Sequence, residues 1–366
     1  GMRSRILFTT VVFPEPVPPA IPMMNMSTNL VTLHYICIRK VIPIMTLYPL
    51  KFQAILKDKI WGGPRLRDVL GKQASDKAGE SWEISGVEGD ISVVENGLLA
   101  GNSLQELAEV YMGDLLGDHI YEKFGLEFPL LIKFIDASQV LSVQVHPDDE
   151  LARERHNSLG KTEMWYVIES DRGELIAGFN RELDREQYVK AFKEGRLKEI
   201  LNHEAVGPGD VYFMPAGRVH AIGAGVLLAE IQQSSDVTYR IYDWDRLDDQ
   251  GNPRELHTDL ALDALDFSFQ SSYKTPYKGL PNSTVNVVDS AFFTTSVIRL
   301  DVPVEKDFNL IDSFVIYICV EGAAGITYPG GAENIKKGET VLIPAELKNL
   351  ALVPTEATTL LEVHIK

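Results

Sequence analysis

Cysteine is nearly absent. Cys37 and Cys319 are the only two in 366 residues. Two thiols make no disulfide framework, and neither stands in a C-x-x-C pair. A closed cysteine-built zinc site is therefore disfavoured, and a reducing, cytoplasmic setting is the simplest expectation. Long apolar runs are missing too: no stretch reaches the 18 or so residues of a membrane span. Basic charge is scarce, with 35 Lys and Arg against 52 Asp and Glu, a net −17. Such a surface repels phosphate backbones, so neither nucleic acid nor membrane is an expected partner. An anionic small ligand would need a local basic pocket. Apolar residues, by contrast, make up 45 % of the chain and charged ones 24 %. That is a globular profile with material for two or three domains, and it excludes a disordered tail or a fibre.

Residues 1–45 differ from the rest. They hold Arg3, Arg5, Arg39 and Lys40 against Glu15 alone, and six of the 19 prolines. Neither helical nor strand periodicity runs through them. Arg3, Arg5 and the run from Ile6 to Phe13 begin like a signal peptide, but Pro14-Glu15 breaks the run and no A-x-A site follows. The expectation is an unstructured leader, with Met45 a natural start for the globular part.

From there the chain reads as mainly β. Strand-like runs recur at Ile91–Val94, Leu130–Phe134, Leu141–Val145, Met164–Ile168, Val211–Met214, Leu227–Ile231, Phe314–Val320, Thr340–Ile343 and Leu360–Ile365. Many short strands separated by Gly, Pro, Asn or Asp point to a sandwich, jelly roll or barrel. Helices interrupt them. Ser103-x-x-Glu106 is a capping box. A second helix is predicted over about 184–202, with Tyr188, Phe192, Ile200 and Leu201 on one face. A third is predicted from Asp148-Asp149.

A weak internal repeat is present. Gly209-Asp-Val-Tyr-Phe-Met-Pro215 is echoed by Gly338-Glu-Thr-Val-Leu-Ile-Pro344. His220 stands five residues past the first proline, and Asn349 five past the second. Two related β-domains are expected, with a metal in the first alone: 46–275 catalytic with helical insertions, and 276–366 a degenerate copy.

The residues with chemistry lie between 142 and 240. Ser142, Gln144 and His146 alternate along a predicted strand and share a face. Lys161 and Glu163 do the same at the start of the next. His220 follows Gly209-x5-Pro215-x-Gly217-x2, and Arg240 lies in Tyr239-Arg-Ile-Tyr-Asp-Trp. Each feature alone is weak. Together they supply two imidazoles, a carboxylate and an amide oxygen, a set suited to Zn²⁺ or a similar divalent ion.

Gly209 to His220 matches the second cupin motif, G-x5-P-x-G-x2-H, at every fixed position. The usual first motif, H-x-H and a nearby Glu, is altered: Gln144 replaces the first His, and Glu163 lies 17 residues past His146. With Leu47-Tyr-Pro-Leu-Lys-Phe, Ile60-Trp-Gly-Gly63, Gly79-Glu-Ser-Trp-Glu-Ile-Ser85, Pro129-Leu-Leu-Ile-Lys-Phe134, Lys161-Thr-Glu163 and Tyr239-Arg-Ile-Tyr-Asp-Trp-Asp245, the chain resembles the type I mannose-6-phosphate isomerases in their shorter bacterial form. The resemblance covers about 46–366. It implies two cupin-type jelly rolls and interconversion of mannose 6-phosphate and fructose 6-phosphate through an enediol. It also implies one Zn²⁺ held by Gln144, His146, Glu163 and His220. Arg240 matches the family's catalytic arginine, and Lys161 and Ser142 match active-site residues. Arg246 stands where longer members have a lysine, and with Arg240 is a candidate for the phosphate. A monomer or homodimer acting on a small sugar phosphate is expected. Another metal-dependent cupin enzyme, or a sugar-phosphate sensor without turnover, is the alternative.

Overall fold

The computed structural model describes residues 46–247 and 250–366. The readings on residues 1–45, Cys37 included, lie outside the described residues. The rest forms one compact unit holding two sandwiches of antiparallel sheets.

In the first, a six-stranded sheet runs in the order Ile55–Asp58, Ala78–Ile84, Leu130–Ala137, Val226–Gln233, Glu163–Ser170, Val211–Met214. It faces five strands in the order Tyr239–Tyr242, Val143–Val145, His220–Ile222, Glu174–Phe179, Leu201–Ala205. Between the sheets, Trp61, Trp165, Leu175, Tyr212, Met214, Ile222 and Leu228 fill one end with apolar side chains. The other end of this interior is polar and holds the site.

The outer face of the five-stranded sheet carries Val143, Val145 and Ile241. They pack under the helices Arg185–Lys193 and Thr258–Ala264 through Tyr188, Ala191 and Ala261. Burying the odd-numbered valines outward leaves Ser142, Gln144 and His146 facing inward, since alternate strand residues point to opposite faces.

The second sandwich pairs the sheet Thr284–Asp289, Thr294–Leu300, Thr358–His364, Val315–Glu321, Thr340–Ile343 with the sheet Val304–Asp307, Asn349–Pro354, Ala323–Tyr328, Gly331–Lys336. Ile298, Tyr317, Cys319, Ile326, Val341 and Leu360 form its core. The sheets are open sandwiches of the jelly-roll kind rather than closed barrels. The internal repeat holds in backbone terms. Gly209 and Gly338 both adopt the left-handed region, at φ 87° and 84°, and each opens a turn into a strand ending at the shared proline.

The Ser103 capping box forms with both of its reciprocal bonds, and Asp148 caps the helix Asp149–His156. The helix predicted over 184–202 is corrected. It spans Arg185–Lys193, and Gly195 takes φ 70° just beyond it. A left-handed glycine there ends the helix. Ile200 and Leu201 still join the helix's core cluster, but from a short 3₁₀ turn and a strand. Ile91–Val94 forms isolated bridges, not a strand. Among the described residues, no helix is long and apolar enough to cross a membrane.

Candidate metal centre

Three neighbouring strands of the five-stranded sheet align their inward residues in one row. Arg240 lies opposite Gln144, and Gln144 opposite His220. Side chains so placed stand about 5 Å apart at Cβ. His146 follows on the Gln144 face. Glu163 arrives from the facing sheet, paired in register with Met214 and Gln232. The ligand atoms of His146, Glu163 and His220, all buried, lie within 4.8 Å of one another. His220 Nε2 is 3.2 Å from Glu163 Oε1, and His146 Nε2 is 3.5 Å from Oε2.

Backbone carbonyls fix both imidazoles. Val237 O lies 2.9 Å from His146 Nδ1, and Arg218 O lies 2.8 Å from His220 Nδ1. A carbonyl only accepts, so each Nδ1 carries the proton and each Nε2 turns a lone pair inward. Burial keeps both rings neutral, lowering the pKa of His220 to about 4 and that of His146 well below its usual value. Burial, with Glu230 nearby, lifts Glu163 to about 7.

Neither Glu163 oxygen accepts a hydrogen bond among the described residues. Lys161 Nζ is 3.1 Å from Oε2, forming an ion pair with the carboxylate, and donates to His146 Nε2 at 3.1 Å. The Lys161 ammonium serves Oε2 and His146, but the His220 Nε2 lone pair still faces the partnerless Oε1 at 3.2 Å, which is unfavourable unless a further cation lies between them. The Gln144 amide nitrogen sits 3.2 Å from His220 Nε2, and a flip of that amide presents its oxygen instead. Two nitrogens, a carboxylate and an amide oxygen fit a divalent ion.

Beside this cluster the interior holds a second charged group that the sequence did not announce. Lys133, Glu230 and Trp165 lie in one register line. Lys133 Nζ is 3.1 Å from Glu230 Oε1 and donates to Gln232 Oε1 at 2.7 Å; Trp165 Nε1 donates to Glu230 Oε2 at 2.9 Å. Burial works against the Glu230 charge, but Lys133, Lys161 and the indole outweigh it and hold its pKa low.

Arg240 is held by its backbone. Its N–H donates to His257 Nδ1 at 3.1 Å, and its carbonyl accepts from His257 N–H at 2.7 Å. His257 has no place in a reading of the sequence, since 17 residues separate it from Arg240. The Arg240 guanidinium gives one Nη1 bond to Glu255 O at 2.9 Å, while its Nε is buried without a partner. Arg246, by contrast, is committed: Nη1 to Val140 O at 2.6 Å and Nη2 to Asp243 Oδ1 at 2.5 Å. Ser142 is buried at the head of the Gln144 strand. Trp61 packs in the core. The ammonium groups of Lys57 and Lys133 lie over the Trp82 ring, 4.8 and 5.1 Å from its centroid. Glu80 bonds the Trp82 indole, whereas Glu83 bonds Ser81 and Lys72.

The chain is similar to known proteins along most of its length. The family model described as phosphomannose isomerase type I, catalytic domain, matches residues 49–182, and that described as mannose-6-phosphate isomerase, cupin domain, matches 283–360. It is 36 % identical to mannose-6-phosphate isomerase ManA of Bacillus subtilis, over 84 % of this chain and 96 % of that protein. It is also 36 % identical to the mannose-6-phosphate isomerase of Streptococcus mutans, over 82 % and 94 %. The crystal structure of the mannose 6-phosphate isomerase from Bacillus subtilis superposes with a TM-score of 0.77 at 33 % identity, covering 87 % of this chain and all of that one.

Proposed function

The chain belongs to the type I phosphomannose isomerases, and from that premise we propose how its own residues interconvert mannose 6-phosphate and fructose 6-phosphate. The carrying observation is the buried Glu163 carboxylate between two imidazoles, its Oε1 without a hydrogen-bond partner and faced by the His220 lone pair at 3.2 Å. Gln144, His146, Glu163 and His220 would hold one divalent ion, and the nitrogen-and-oxygen donor set favours Zn²⁺. Bound there, it supplies Lewis-acid stabilisation of negative charge on the sugar oxygens.

The reaction takes a proton from C2 of the open-chain aldose and returns one to C1, while the O2 hydroxyl loses its proton and O1 gains one. No atom is gained or lost. Lys161, its ammonium at the edge of the ligand cluster, is assigned to proton delivery at the sugar oxygens. General acid–base help of this kind contributes about 10²–10⁴-fold. Arg240 is assigned to the anionic side of the substrate, because a guanidinium with an unpartnered buried N–H matches a phosphate or enediolate oxygen. Ser142 and Arg246 are assigned to the wall of the same pocket, Arg246 through its charge, since its donors are occupied. Cys319, buried and free among the described residues, is consistent with a reducing, cytoplasmic location.

A coupled assay of mannose 6-phosphate conversion, before and after chelation and with zinc restored, tests this reading. Turnover lost on chelation and regained with zinc supports it. Absence of turnover in zinc-loaded protein overturns it in favour of a binding-only role or another phosphosugar.

A further inference from the structure

Two arginines share one carboxylate close in the chain to a third, Arg240 of the ligand row. Asp243, 5 % exposed, accepts Arg246 Nη2 and Arg254 Nη2 on Oδ1, each at 2.5 Å, and Arg254 Nε on Oδ2 at 2.7 Å. Arg254 thus grips both oxygens in a fork. Arg240, three residues before Asp243, interacts with it through charge but makes no hydrogen bond to it. The turn that follows Asp243 is tightly held. Trp244 and Asp245 are successive non-glycine residues in the left-handed region, at φ 59° and 57°. Trp244 Nε1 donates to Leu141 O at 2.7 Å, and Tyr242 Oη to Asp245 Oδ2 at 2.8 Å.

These contacts divide the charge unevenly. Asp243 lies three residues from Arg240 in the chain and favours its charge. With both its oxygens taken by Arg254 and Arg246, Arg240 is left as a half-buried cation with an unused N–H. In a chain of net −17, three guanidiniums near one carboxylate leave local positive charge where an anionic substrate would be needed.

We propose that Arg254 is a positioning residue: its fork masks Asp243 and so keeps Arg240 free for the substrate. The inference rests on the assignment of Arg240 to the substrate's anionic side. It makes Arg254 important without requiring that it touch the sugar phosphate.

The test is a double-substitution cycle in the metal-loaded full chain. Values of kcat and KM for mannose 6-phosphate are measured for wild type, R254Q, D243N, R254Q/D243N, R254K and R240A. Metal content and thermal midpoint are recorded for each. R254Q uncovers the Asp243 charge and is expected to lose about 10–100-fold in kcat/KM, the size of a charged hydrogen bond diverted. Removing the Asp243 charge as well is expected to bring R254Q/D243N back to within about threefold of D243N, a non-additivity that only coupled residues show. R254K, a point charge in place of a fork, is expected between wild type and R254Q. A double variant as slow as R254Q would overturn masking and place Arg254 on the substrate or in the fold. Wild-type kinetics in R254Q would overturn it too. If R254Q fails to fold, R254K against R254K/D243N gives the same comparison. R240A separates the two readings. Activity retained there removes the premise, whereas an inactive R240A beside an unrescued R254Q/D243N removes masking alone.

Discussion

The two sandwiches carry matching strand registers filled with different chemistry. In the first, Glu163 lies opposite Met214 and Gln232; the matching position of the second is Val315, opposite Ile343 and His364. His220 is buried in the row of ligands, while its counterpart Asn349 is exposed. Yet one polar feature recurs. Trp165 donates to the buried Glu230, which pairs with Lys133. Tyr317 donates to the buried Glu362 at 2.6 Å, which pairs with Lys306 at 2.7 Å. Lys133 comes from the strand beside Glu230, Lys306 from the facing sheet. The Lys–Glu–aromatic group is thus compatible with a sandwich that gathers no ligand cluster. What sets the first sandwich apart is a carboxylate and two imidazoles at three positions. Among the described residues, this is the one such cluster.

That contrast can be broken most severely at the ligands. His146→Ala or His220→Ala is expected to lower turnover by about 10³-fold or more, because a missing imidazole removes the ion and its charge stabilisation together. The coupled assay reads this directly. Arg240→Ala is expected to lower kcat/KM by about 10²–10³-fold while the metal stays bound, as electrostatic contacts to developing charge usually do. Near-normal turnover would show that its assigned role is wrong.

The second sandwich answers in stability instead. Glu362→Gln leaves the Lys306 ammonium, 11 % exposed, without its charged partner. Breaking a buried pair in this way costs about 3–5 kcal/mol, which urea unfolding measures. Turnover per folded molecule is expected to be unchanged; a fall in kcat would tie this sandwich to catalysis. At the small end, Asn349→His is expected to change neither metal content nor kcat, since Val315 offers no carboxylate beside it.

Much of the site was legible because its residues break local patterns. Gln144 and His146 are polar on a strand whose valines point outward, and His220 follows a Pro-x-Gly turn. The two-sandwich layout was legible from the repeated glycine-to-proline turn. Glu230 was not, because its strand is buried along its whole length and its partners are set by which strands lie alongside. The helix over 184–202 was overrun because Ile200 and Leu201 continue the helix's apolar face, although Gly195 stops the helix between them. Arg246 and Arg254 show how little charge type says about role. Arg246 reads in the sequence either as a cation for the phosphate or as a partner of the acids around it; it and Arg254 are both bound to Asp243.

The central claim is that one ion, in the first sandwich alone, carries the chemistry. Metal content per chain, measured by elemental mass spectrometry on purified wild type beside His146→Ala and His220→Ala, tests it most directly. The account expects about one divalent ion per wild-type chain and almost none in either variant. A full equivalent of metal retained by both variants would contradict it.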